Sequence, residues 1–104
     1  MNPAVRCISW INELISLKDT PDILVVRLDE IANKLLEENN DEVGIRTMST
    51  ILRTPIGKYA LGHQYPDSVT KFAMKYITKN GHELLAKYGN PYTEEEVQQG
   101  LVDQ

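Results

Sequence analysis

The chain has 104 residues and a formal net charge of −4 at pH 7, with 41% apolar and 25% charged residues. This length predicts one domain with a single core, and the composition is that of an ordinary globular protein. Cys7 is the only cysteine, which excludes an intramolecular disulfide and a thiolate metal cage. Polar side chains interrupt the first seventeen residues, so we expect no signal peptide, no membrane span and a cytoplasmic location.

Charge is distributed unevenly along the chain. Residues 1–45 carry four Lys or Arg against nine Asp or Glu, residues 46–79 carry six against one, and residues 80–104 carry one against five. Acidic ends therefore flank a basic middle. Two interpretations are open: acidic and basic helices neutralise one another within the fold, or the basic segment forms a docking face.

The first predicted element is a helix with a clear start. Asn2 is a good N-cap, Pro3 suits the first helical position, and apolar side chains recur at helical spacing over residues 4–15. The apolar arc is wide, so this helix should be largely buried. We expect Cys7 and Trp10 to be core residues, and not a nucleophile and an exposed binding anchor.

Two further helices are predicted before the basic segment. A Thr-Pro pair at residues 20–21 begins the second helix, whose apolar face runs through residues 24–36. The β-branched run at residues 23–26 is also compatible with a short buried strand, but the later spacing favours a helix. A polar turn at residues 39–42 precedes a third helix that ends before Pro55.

The segment of residues 55–66 contains several prolines and glycines. Such residues disfavour regular structure. We therefore predict a connector there, with at most a short helix over residues 58–61.

The most regular pattern lies in residues 66–79. Apolar side chains recur there at three- and four-residue spacing, as on one face of a helix. The same helix would align three lysines beside that face and would end at Asn80-Gly81. We predict one continuous helix, with Phe72 as its core anchor and Thr78 on its outer face. The apolar face comprises Val69, Phe72, Ala73, Tyr76 and Ile77, and the lysines are Lys71, Lys75 and Lys79.

The C-terminal part is predicted to hold two short helices. Residues 82–88 form the first, and the second begins at Glu94 behind a capping box made by Thr93 and Glu96. Since every well-patterned segment has helical spacing, the predicted fold class is all-α. We expect a single domain over residues 1–104, built as an irregular bundle of five or six short helices.

Motifs for catalysis, cofactor binding and metal binding are absent from the sequence. Gly57-Lys58 lacks the earlier glycine and the following Ser or Thr of a phosphate-binding loop. His63 and His82 are nineteen residues apart with no cysteine nearby, which makes a poor metal pair. We predict a protein that is not an enzyme and that has no cofactor and no metal site.

The remaining signal is the basic, tyrosine-bearing middle of the chain. Our preferred hypothesis is a small non-catalytic adaptor or inhibitor that docks on another protein with an acidic surface. The alternative is a nucleic-acid-binding regulator, for example DNA-binding, that contacts phosphates through the same helix–connector–helix segment. The candidate partner-binding residues are Arg46, Arg53, Lys58, Tyr59, His63, Tyr65, Lys71, Lys75 and Lys79.

Overall fold

The computed structural model describes residues 1–103, and this part of the chain forms seven helices and no strand. The all-α prediction is confirmed, with more helices than the five or six expected. The strand alternative for residues 23–26 is wrong, because these residues are helical. The helices are α1 (Pro3–Ser16), α2 (Pro21–Glu38), α3 (Asp41–Arg53), α4 (Pro55–His63), α5 (Asp67–Met74), α6 (Lys79–Tyr88) and α7 (Glu94–Val102).

The first four helices form the centre of the molecule. Every pair among α1, α2, α3 and α4 is in contact. The three C-terminal helices lie around this centre, with α5 on α2, α6 on α3 and α7 on α1. Helices α1 to α4 therefore provide most of the core, and α5 to α7 are added at its surface.

One cluster of buried apolar side chains joins α1 to α5. Cys7 is fully buried in it, and burial raises the pKa of its thiol to about 11. The thiol is therefore protonated at neutral pH, which agrees with a structural role. Trp10 packs against the same cluster and is partly buried. The cluster comprises Cys7, Ile11, Leu14, Leu24, Leu28, Ile31, Ala32, Leu35, Ile45, Met48, Ile51, Ile56, Ala60, Val69, Phe72 and Tyr76.

The prediction of a connector over residues 55–66 is wrong, because Pro55 begins a nine-residue helix, α4. Thr54 supplies the N-cap, its hydroxyl accepting a hydrogen bond from the Gly57 N–H at 3.1 Å. A proline at the first helical position leaves no N–H unpaired. Gly57 permits close packing, since a Cβ there would lie 2.1 Å from the carbonyl oxygen of Ile51 on α3.

The prediction of one continuous helix over residues 66–79 is also wrong. Helix α5 ends and α6 begins within this range, and residues 75–78 form a turn between them. Thr78 caps α6 by accepting a hydrogen bond from the Gly81 N–H at 3.0 Å. A Cβ at Gly81 would lie 2.4 Å from the Cα of Tyr76, so glycine allows α6 to start against the preceding turn. Asn80-Gly81, the pair predicted to end a helix, therefore lies in the first turn of α6.

The break divides the predicted apolar face. Val69, Phe72 and Tyr76 are buried, and Phe72 is 8% exposed, as predicted for a core anchor. Ala73 is exposed, and Ile77 is 66% exposed. The break also separates the three lysines, which no longer share one helical face.

Candidate functional site

Arg46 joins α3 to the C-terminal segment. Its guanidinium donates two hydrogen bonds to the carboxylate of Glu96, both at 2.6 Å, and others to the carbonyl oxygens of Asn90 at 3.1 Å and Pro91 at 3.2 Å. The guanidinium also lies over the ring of Tyr92, 4.5 Å from its centre. The hydrogen bonds from Arg46 lower the pKa of the Glu96 carboxyl to about 2. This candidate residue is therefore engaged in holding α7.

Lys75 and His63 also contact groups from the acidic N-terminal part of the chain. The ammonium of Lys75 donates to Asn39 Oδ1 at 2.8 Å and lies 3.5 Å from Asp41 Oδ1. His63 Nε2 lies 2.7 Å from Asp22 Oδ1, and the contact becomes an ion pair when the histidine is protonated. Internal charge neutralisation therefore accounts for part of the basic segment.

The other four candidate cations form no ion pair with residues 1–103. Each is exposed. They are distributed over four helices and so do not form a single row. Arg53 ends α3, Lys58 lies in α4, Lys71 in α5, and Lys79 begins α6.

An apolar groove with a volume of about 590 Å³ lies between α3, α5 and α6, and Arg53 is part of its lining. We call it the α3/α5/α6 groove. Met48 and Phe72 are buried beneath it, whereas Leu85 is 42% exposed. The groove thus offers apolar surface to solvent beside a cation. Its apolar lining includes Ile45, Met48, Leu52, Phe72, Tyr76 and Leu85.

Tyr59 lies at a second apolar cavity, between the end of α1 and the start of α4, with a volume of about 660 Å³. Ile15 and Tyr59 are 45% and 48% exposed there. The charged residues of its lining are Lys18 and Asp19. The lining of this cavity has no net charge and includes none of the candidate cations.

Tyr65 lies in a notch of about 220 Å³ between α2 and the connection from α4 to α5. Three carboxylates line the same notch, those of Asp22, Asp29 and Asp67. Val26 also lines it and is 59% exposed. The surroundings of this tyrosine are therefore acidic, in contrast to the basic surface expected from sequence.

The α3/α5/α6 groove could not be predicted from the sequence. Its three walls come from helices that were predicted with different boundaries, and the turn at residues 75–78 separates two of them. The sequence of α6 does contain one indication of exposed apolar surface. Leu84 and Leu85 point about 100° apart on a helix, so a short helix that buries the first exposes the second. The structure agrees, with Leu84 partly buried and Leu85 exposed.

Comparison with protein-family models, curated proteins and solved structures found no match to this chain. Among residues 1–103, no group of His, Cys, Asp and Glu side chains is arranged to hold a metal ion. In the same range, none of the helices combines the length and apolar character needed to cross a membrane. The candidate site is defined by its geometry: an apolar groove with an arginine in its lining.

Proposed function

We propose that the chain is a small non-catalytic protein-binding module, an adaptor or inhibitor, whose α3/α5/α6 groove receives an acidic amphipathic segment of another protein. The observation that carries this proposal is the position of Arg53. It places a guanidinium without an ion pair among residues 1–103 at a groove lined mainly by apolar side chains.

The apolar part of the groove supports a helix-in-groove mode of binding. In that mode, an amphipathic helix inserts apolar side chains spaced three or four residues apart. Leu85 and Ala73 are exposed in the unbound chain. Covering such surface contributes about 25 cal/mol per Å² of apolar area removed from water.

The charged part of the groove favours an acidic partner. Arginine is enriched among the residues that dominate interface energies, because its planar guanidinium pairs with carboxylates through two hydrogen bonds. Lys71 and Lys79 lie on α5 and α6, the helices that form the other two walls. Exposed cations of this kind raise the association rate of an acidic partner through long-range attraction.

Affinity capture with matched variants tests the proposal. Leu85→Glu and Arg53→Glu alter the groove, and Leu101→Glu is the control, because Leu101 is 50% exposed on α7, outside the groove lining. We expect a partner that the wild type and Leu101→Glu retain and that both groove variants lose, with unchanged circular dichroism. Equal retention by all four proteins would refute the groove as the docking site.

The alternative proposal is a nucleic-acid-binding regulator. The observation that favours it is the set of four exposed cations without ion pairs among residues 1–103. Binding to a mixed duplex and to a single strand at about 50 and 200 mM salt tests it, since phosphate contacts give strongly salt-dependent affinity. Salt-dependent binding that is lost in Lys71→Glu/Lys79→Glu would favour this alternative. No binding at the lower salt concentration would exclude it.

A further inference from the structure

A further exposed apolar surface lies on α2. Its charged neighbours are acidic, whereas the charged residue of the α3/α5/α6 groove is an arginine. Ile23 and Val26 are three residues apart on this helix and are 55% and 59% exposed, and Tyr65 is 52% exposed. Val26 and Tyr65 line the notch that also holds three carboxylates. We call this surface the acidic α2 face; it consists of Asp22, Ile23, Val26, Asp29, Tyr65 and Asp67.

We propose that the acidic α2 face of one copy of the chain docks in the α3/α5/α6 groove of a second copy. This inference rests on the proposed function, because it names a second copy as a partner of that groove. The α2 face is an acidic amphipathic helix surface, which is the chemistry that the groove favours. Charge complementarity selects this occupant. Asp22 contacts His63 through Oδ1, yet its side chain is 92% exposed, so the carboxylate can also meet Arg53 of a second copy.

The contact must join different molecules. Both surfaces are built on packed helices of one fold, and α5 contributes to each of them, through Asp67 to the notch and through Phe72 and Ala73 to the groove. A single molecule therefore cannot insert its own face into its own groove. Because face and groove are different patches, each added copy leaves one of each exposed, and the association is head to tail.

The test measures the mass in solution by sedimentation velocity and light scattering from micromolar to millimolar concentration. We expect the weight-average mass to rise above the 11.8 kDa of one chain without levelling off at a dimer. Asp22→Arg and Arg53→Glu should each weaken the association by at least about tenfold, as expected for reversing one partner of a close charge pair. Glu37→Arg on α2 and Lys18→Glu on the second cavity are the matched charge-reversal controls and should leave it unchanged.

Mixing the two altered chains gives the decisive measurement. The unaltered groove of Asp22→Arg meets the unaltered face of Arg53→Glu, and the two reversed charges meet at the next contact, so an equimolar mixture should associate as the wild type does. A mixture that stays monomeric, or a wild type that is monomeric at every concentration, would overturn the inference. The proposed function would survive that result if Leu85→Glu still lost a captured partner, and would fail separately if it did not.

Discussion

Arg46 and Glu96 are fifty residues apart in the chain, and their side chains form a two-pronged ion pair with both nitrogen–oxygen distances at 2.6 Å. The same carboxylate accepts a hydrogen bond from the Thr93 N–H at 3.1 Å and completes the capping box of α7. The Glu96 side chain therefore caps the N-terminus of α7 and also binds α7 to α3. The attachment of α7 should depend on the charge of this carboxylate.

Acid should weaken that attachment. Because the folded chain lowers the pKa of Glu96 from its ordinary 4.5 to about 2, the folded state binds this proton less readily than the unfolded state. The stabilisation is complete above pH 4.5 and is lost as the pH falls toward about 2. Amide protection factors in α7, which compare the exchange rate with that of an unfolded chain at the same pH, should fall across that range. Glu96→Gln keeps an oxygen for the cap and should lack this component, so identical acid profiles for the two proteins would contradict the prediction.

Thr78→Ala should destabilise the fold by about 1 kcal/mol, because it removes the side-chain cap of α6. If residues 66–79 formed one continuous helix, Thr78 would lie on its outer face and the substitution would be nearly neutral. Thr70→Ala is the matched control, since Thr70 is exposed within α5 and caps nothing. Urea unfolding of the two variants distinguishes the structures, and equal costs would argue against a helix start at Thr78.

Phe72→Ala should lower the free energy of unfolding by roughly 3–5 kcal/mol, the range for deleting a buried aromatic ring. The ring reaches α3, where its edge would lie 3.3 Å from a Cβ placed on Gly44. Met74→Ala on the same helix should change stability by less than about 0.5 kcal/mol, because Met74 is 62% exposed. Chemical denaturation measures both, and a small loss for Phe72→Ala would place its ring outside the core.

Lys75→Glu and Lys79→Glu should have different effects, although both residues belong to the predicted lysine row. Lys75→Glu sets a carboxylate beside Asp41 and should cost up to about 1 kcal/mol, as expected for an exposed pair. Lys79→Glu places a negative charge at the N-terminus of α6, where the helix dipole favours it, and should be neutral or slightly stabilising. Thermal unfolding of the two variants at low salt measures the contrast. Equal destabilisation by the two substitutions would contradict the position of Lys79 at the start of α6 and that of Lys75 beside Asp41.

The helix starts that could be predicted from sequence have local causes. Asn2 accepts hydrogen bonds from the N–H groups of Ala4 and Val5, and the capping box of Thr93 and Glu96 is present as predicted. Each signal lies within a few residues of the helix that it begins. Such signals depend little on the rest of the fold.

The break between α5 and α6 could not be predicted from its apolar spacing, because its cause is tertiary. Tyr76 is buried and its hydroxyl donates to Asp41 Oδ1 at 3.1 Å, which fixes the turn against α3. The spacing of Ile77 continues the apolar pattern, yet this side chain is 66% exposed. A periodic pattern reports which residues are apolar and does not report where the chain turns.

The sequence shows which residue types could form the candidate site but not how they are arranged. Arg46 and Lys75 have the residue type of a binding surface, but their partners are distant in sequence and no local signal points to them. Arg53 has the same residue type, and it lines the groove. Sequence composition identified the basic residues, and the three-dimensional arrangement determined which of them have acidic neighbours.

The arrangement of α6 and α7 has a consequence for local unfolding. Each of these helices buries one residue, Gly81 in α6 and Gly100 in α7, whereas each of the central four buries at least three. Segments with few buried contacts open at a lower free energy than the core. Helices α6 and α7 should therefore open locally while α1 to α4 remain folded.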